Sequence, residues 1–151
     1  MRAIFVALAA ACATGGSQYG TVTIKSFANQ AAPAARFSVG PATISGSSLY
    51  AALDRGCIRG SMGGTPIQFC QDAANPNHWS GASGDFTAVA SPDGRSVNVD
   101  GYMTVGPSRM FSMTQVVPLG DGAQWNELRK NPALAAIAAT TADLQAAHIR
   151  H

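Results

Sequence analysis

Between residues 21 and 118 apolar and polar positions alternate in short runs, each broken by Gly, Pro, Asn or Asp. That period of two is the signature of strands with one buried face. Val22 and Ile24 mark a first strand, residues 35–39 and 42–45 two short ones across Gly40-Pro41, and residues 86–90 and 96–105 a hairpin around Pro92-Asp93-Gly94. In that hairpin Phe86 and Ala88 share a face with Val97 and Val99. Residues 109–118 form a further strand, pairing with the one that ends at Val105. Leu49, Tyr50 and Leu53 have near-helical spacing, which predicts a helical turn over residues 47–55.

After residue 121 the period changes to 3.6. Asp121 and Gln124 resemble a capping box ahead of a short helix with Trp125 and Leu128 facing inward. Asn131-Pro132 suits the start of a second helix, carrying Leu134, Ile137, Leu144 and many alanines to about His148. Its apolar stripe is thin, which predicts a cover for a flat sheet or, alternatively, a face for docking a partner. The fold class expected is α+β: an antiparallel sheet of about six strands, curved or partly closed, with C-terminal helices packed against it.

Residues 57–70 read CIRGSMGGTPIQFC, and Gly63-Gly64 is a strong two-residue turn because primed turns need positive φ. With those two glycines as the loop, Met62 faces Thr65, Ile58 faces Phe69 and Cys57 faces Cys70. Counting outward, Cys57 and Cys70 fall on a non-hydrogen-bonded pair, where Cα atoms lie roughly 4.5 Å apart. A disulfide there closes a short loop and stabilises the domain by about 3 kcal/mol in the chain-entropy model. A metal or redox site is the competing reading, yet there is no Cys-x-x-Cys and His78 is the single imidazole nearby.

Composition narrows the setting. The 151 residues make one domain, hydrophobic residues are 46% and charged residues only 12%, about half the usual quarter. Such a balance suits an exported β-rich domain. Net charge is +2, with Arg55, Arg59, Arg95 and Arg109 scattered, so no footprint for nucleic acid is expected.

The first twelve residues, MRAIFVALAAAC, combine Arg2, an apolar run from Ala3 to Ala11, and a cysteine. The run is far short of the roughly 20 residues that span a bilayer, so it reads as a secretory signal. LAAAC resembles the lipobox of bacterial lipoproteins. That resemblance implies cleavage before Cys12, acylation of Cys12 (palmitate among the acyl chains), and attachment to a membrane; Ala13, not acidic, implies the outer membrane. The division expected is a signal peptide over 1–11, a lipidated cysteine and flexible tether over 12–20, and a single domain over 21–151. Two alternatives stay open: ordinary cleavage after Ala13 within an A-x-A pattern, or a start at Met1 that lies inside a longer leader. Under either cleavage the mature domain keeps two of the three cysteines, in an oxidising compartment.

Catalytic signatures are not found: Gly81-Ala82-Ser83-Gly84 fails the nucleophile-elbow spacing at Asp85, and no H-E-x-x-H, P-loop or dinucleotide glycine pattern occurs. No catalytic residue, metal or cofactor is therefore expected. Asp72, His78, Trp79 and Asp85 form the one local cluster fit for ligand or partner contact, although each residue type also suits turns or a loop anchor. Glu127, the single glutamate, is expected on a helix face. By elimination, the function expected is a non-enzymatic cell-envelope lipoprotein, held to the membrane through Cys12, that binds or scaffolds another envelope component. The rivals are an inhibitor or immunity-type protein acting through the His78 loop, and a small exported enzyme using His78 and Asp85.

Overall fold

A computed structural model describes residues 18–105 and 109–149. Its body is one antiparallel sheet of eleven strands, nearly twice the number expected. In chain order these are β1 (Gly20–Ile24), β2 (Ala35–Gly40), β3 (Thr43–Ser45), β4 (Leu49–Asp54), β5 (Cys57–Met62), β6 (Thr65–Gln71), β7 (His78–Gly81), β8 (Gly84–Ala90), β9 (Ser96–Val105), β10 (Arg109–Ser112) and β11 (Gln115–Pro118). Each strand pairs with the next, a plain meander, until β9. There β10 and β11 lie end to end along the same edge, opposite Tyr102 to Val105 and Ser96 to Val99 respectively. The expected strand over residues 109–118 is thus real but interrupted.

Three differences from expectation have local causes. Residues 47–55 contain β4, not a helical turn: Leu49 and Ala51 face the core while Tyr50 faces solvent, so the alternation of two wins over three residues at helical spacing. The strand His78–Gly81 was concealed within a polar stretch that reads as loop, since only Trp79 in it is apolar and buried. The first helix, α1 (Ala123–Lys130), begins after Gly122 with no side-chain cap, so the Asp121/Gln124 capping box does not form. Gln124 instead donates to Thr21 O at 3.3 Å.

The hairpin of β5 and β6 has the expected register, with Met62 opposite Thr65, Ile58 opposite Phe69 and Cys57 opposite Cys70. Gly63 and Gly64 both have positive φ, 57° and 82°. The Cys57–Cys70 disulfide is present with Cα atoms 4.0 Å apart. In the β8–β9 hairpin Ala88 pairs with Val99 and Ala90 with Val97, again as the alternation requires.

The second helix, α2 (Pro132–Ile149), is the largest correction. It neither lies on a flat sheet nor shows a thin stripe. Every residue from Ala133 to Asp143 is buried, and the helix packs at once against β1, β2, β3, β4, β8, β9 and β11. The sheet curls into a half-barrel around it. A helix apolar on all sides belongs inside a core, and the alanines keep its diameter small enough for the curl. Phe37, Phe69 and Phe86 line the inner wall, the latter two edge-to-face with centroids 5.0 Å apart. Thr140 and Thr141 bond back to Ala136 O and Ile137 O at 2.9 Å, so neither hydroxyl is stranded. Among the described residues no helix is long and apolar enough to cross a membrane.

Buried or part-buried side-chain bonds help to fasten the helical unit to the wall. Glu127, buried on its helix, accepts from Ala42 N at 2.6 Å and from Asn131 Nδ2 at 2.8 Å. Asp143 accepts from Ser26 Oγ at 2.7 Å, Ala28 N at 3.2 Å and Gln115 Nε2 at 3.0 Å. Gln145 Nε2 donates to Ser48 Oγ at 2.6 Å.

Candidate functional site

Antiparallel pairing brings three of the four cluster residues together. Cys70 lies opposite Ser80 and Gln71 opposite Trp79, and the ladder continues with Asp72 N donating to His78 O at 2.9 Å. Asp72 is therefore directly across from His78. On the other side His78 pairs with Thr87 and Ser80 with Asp85, which puts Asp85 diagonally within reach on the same outer face. The imidazole is clasped between two carboxylates: Nδ1 is 3.2 Å from Asp72 Oδ2 and Nε2 is 2.7 Å from Asp85 Oδ1. All three side chains are partly exposed, His78 at 28%, Asp72 at 41% and Asp85 at 46%.

Trp79 is separated from them. Strand alternation turns it to the inner face, where it is 6% exposed. Its remaining surface borders a hollow of about 480 Å³ at one end of the half-barrel, among Arg55, Gln71, Lys130 and Asn131. Arg55, Arg59, Arg95 and Arg109 are likewise dispersed: the β4–β5 turn, β5, the β8–β9 turn and β10 carry one each. Cys12 lies outside the described residues.

Two carboxylates facing one imidazole favour its doubly protonated form, because only the imidazolium can donate from both nitrogens. The His78 pKa is accordingly raised above 6.5, chiefly by the bond to Asp85 and next by that to Asp72, with partial desolvation opposing. Asp72 is lowered below 3.8, first by the backbone N–H of Ala74, which donates to its Oδ1 at 2.9 Å, and then by His78. In its doubly protonated form the clasped imidazole donates from both nitrogens, one to each carboxylate. The arrangement ties the loop of residues 72–77 to β8, with both carboxylates partly exposed.

The loop is hydrogen-bonded within itself. Gln71 Nε2 donates to Pro76 O at 2.8 Å, Asn77 N to Asn75 Oδ1 at 3.1 Å and His78 N to Asn75 O at 3.0 Å. Ser83, in the elbow-like tetrapeptide, is buried and accepts from Gln68 N at 2.9 Å, a structural hydroxyl. Sequence reasoning passed over Asp143 entirely, since an aspartate in an alanine-rich helix carries no motif. It put Glu127 on a helix but gave no sign of its partner, since nothing in the sequence marks Ala42, at φ 52°, as offering a free N–H.

The chain matches no family model, no curated protein and no solved structure.

Proposed function

We propose that this chain is an exported, non-enzymatic cell-envelope lipoprotein, anchored through Cys12, that binds or scaffolds another envelope component by the outer surface of its half-barrel. The observation that carries the reading is the position of α2. A curled sheet can hold a small molecule in its lumen, but here the protein's own helix occupies that space. Recognition then falls to the outer wall and its edges. The Cys57–Cys70 disulfide supports an oxidising compartment, and the lipobox-like LAAAC supports the anchor. The clasped state of His78 favours a contact surface over acid–base chemistry.

The inhibitor or immunity reading keeps one specific support: the loop of residues 72–77 is held in a single shape before any partner arrives, which lowers the ordering cost of inserting it into a cleft.

Two measurements test the proposal. Intact mass from a membrane fraction, without reductant, should begin at an acylated Cys12; an unprocessed chain starting at Met1 overturns the anchor. Photo-crosslinkers placed at the exposed Tyr50 and Tyr102 of the wall should capture one reproducible envelope protein in living cells. Absence of any capture from the wall, its loops and its edges overturns the scaffold reading.

A further inference from the structure

The two ends of the meander face each other without pairing. Among the described residues β1 pairs only with β2, and β11 only with β9. Yet both line one hollow of about 340 Å³, whose walls include Thr23, Lys25 and Phe27 on one side and Val116 and Pro118 on the other. A second hollow of about 390 Å³ shares Phe27 and continues past Arg109 and Met110. Asp143 closes the base of this seam, with both its oxygens already engaged by Ser26, Ala28 and Gln115.

Backbone polarity on the two lips can be read from neighbouring bonds. Thr21 O accepts from Gln124 on the side away from β2. Residues two apart point the same way, so the N–H and C=O of Thr23 face the seam. On the far lip Met113 N donates to Gly101 O and Leu119 N to Arg95 O, which assigns odd-numbered residues to β9. The N–H and C=O of Val116 therefore also face the seam. Both lips offer free donors and acceptors toward the same gap, and they run in opposite directions.

Apolar side chains crowd there as well. Met110 is 65% exposed, Phe27 57% and Val116 52%, the three most exposed large hydrophobic residues among those described. The exposed charges lining the two hollows are positive: Lys25 and Arg109 are both exposed, and among the described residues neither forms an ion pair.

We propose that the seam between β1 and β11 takes an extended polypeptide strand bearing apolar and acidic side chains, supplied by a partner protein. Only an extended chain carries hydrogen-bonding groups along both flanks, as two facing edges demand. It pairs antiparallel with one lip and parallel with the other, lays apolar side chains against Phe27, Met110 and Val116, and sets carboxylates near Lys25 and Arg109. This names the kind of partner in the binding role proposed above and rests on that role.

The test uses the full chain and a capped seven-residue peptide alternating valine with glutamate, followed by amide NMR. Shifts and slowed hydrogen exchange are expected at Thr23, Lys25 and Val116. Thr23→Pro removes a seam-facing donor while sparing the β1–β2 ladder; with the fold intact by circular dichroism, it should weaken binding at least about tenfold. Lys25→Glu with Arg109→Glu should do the same, as should lysine in place of glutamate in the peptide. Peptide shifts lying elsewhere, or equal binding by the lysine peptide, overturn the proposal. So does a dimer of the full chain that Thr23→Pro dissolves, which would give the seam to a second copy. Seam binding in vitro without any envelope protein captured in cells removes the scaffold reading alone; capture at the wall with an inert seam removes the strand alone.

Discussion

Two sets of carboxylate bonds, one inside the half-barrel and one on its outer wall, use the same chemistry to opposite effect. Asp143 is 5% exposed and gathers a hydroxyl, a backbone N–H and a side-chain amide from both lips of the sheet. Asp72 and Asp85 clasp His78 where water reaches all three. Buried donors that lose their acceptor have no replacement, whereas exposed ones turn to solvent. The inner set should therefore decide whether the protein folds, and the outer set should decide how one loop is held and what charge it shows.

Asp143→Ala should break the comparison most severely. It strands the buried Ser26 Oγ and Gln115 Nε2 and removes the acceptor of the part-buried Ala28 N, for a loss of about 3–5 kcal/mol by urea denaturation. Asp143→Asn sharpens the point, because its amide keeps one acceptor for Ser26 but turns NH2 toward the NH2 of Gln115; an intermediate loss is expected. Replacing Cys57 and Cys70 by serine should cost about 3 kcal/mol and leave a folded domain. Unchanged stability in the double variant would remove the disulfide from the account of the fold.

Gly101→Ala comes next, at about 2 kcal/mol, measured as a fall in denaturation midpoint. Gly101 has φ 148°, and a Cβ there would lie 2.3 Å from Asp85 O and 2.5 Å from Phe86 Cα. The glycine is what lets β9 close on the strand that carries Asp85.

The smallest expected effect is that of His78→Gln, and its form matters more than its size. The folded-state pKa of His78 is raised, so its contribution is full below about 6.5, the unfolded value, and is lost as pH rises through the higher folded value. Asp72 works in the reverse sense: lowered in the fold, it contributes above about 3.8, its unfolded value, and loses this as pH falls through the folded value. The stability difference between wild type and His78→Gln should thus shrink from pH 6 toward alkaline pH. An NMR titration placing the His78 midpoint below 6.5 would dissolve the clasp.

The contrast also marks what a sequence makes legible. The β5–β6 hairpin, its register and its disulfide followed from Gly63-Gly64 and two cysteines, because a two-residue loop fixes all pairings outward. Alternation located β8 and β9 and their shared face for the same local reason. His78, Asp72 and Asp85 were legible as neighbours because they lie within one hairpin's span of chain. Ser26 and Asp143 were not: they are 117 residues apart, and nothing in either neighbourhood names the other. The course of α2 was misread because an alanine-rich helix looks the same whether it covers a sheet or is wrapped by one. Only the number of strands and the curl decide, and three of those strands are four residues or fewer in the stretch from His78 onward.

The element that fills the interior is also the one that comes after every strand in the chain. While residues 20–118 leave a ribosome or a translocation pore, the wall has no inner partner, and its row of phenylalanines stays open until α2 arrives. Closure is a late, long-range event, with Ser26 waiting for Asp143. A chain interrupted before α2 would be an open ribbon with a greasy concave side. Completion of such a fold waits on the last element to emerge.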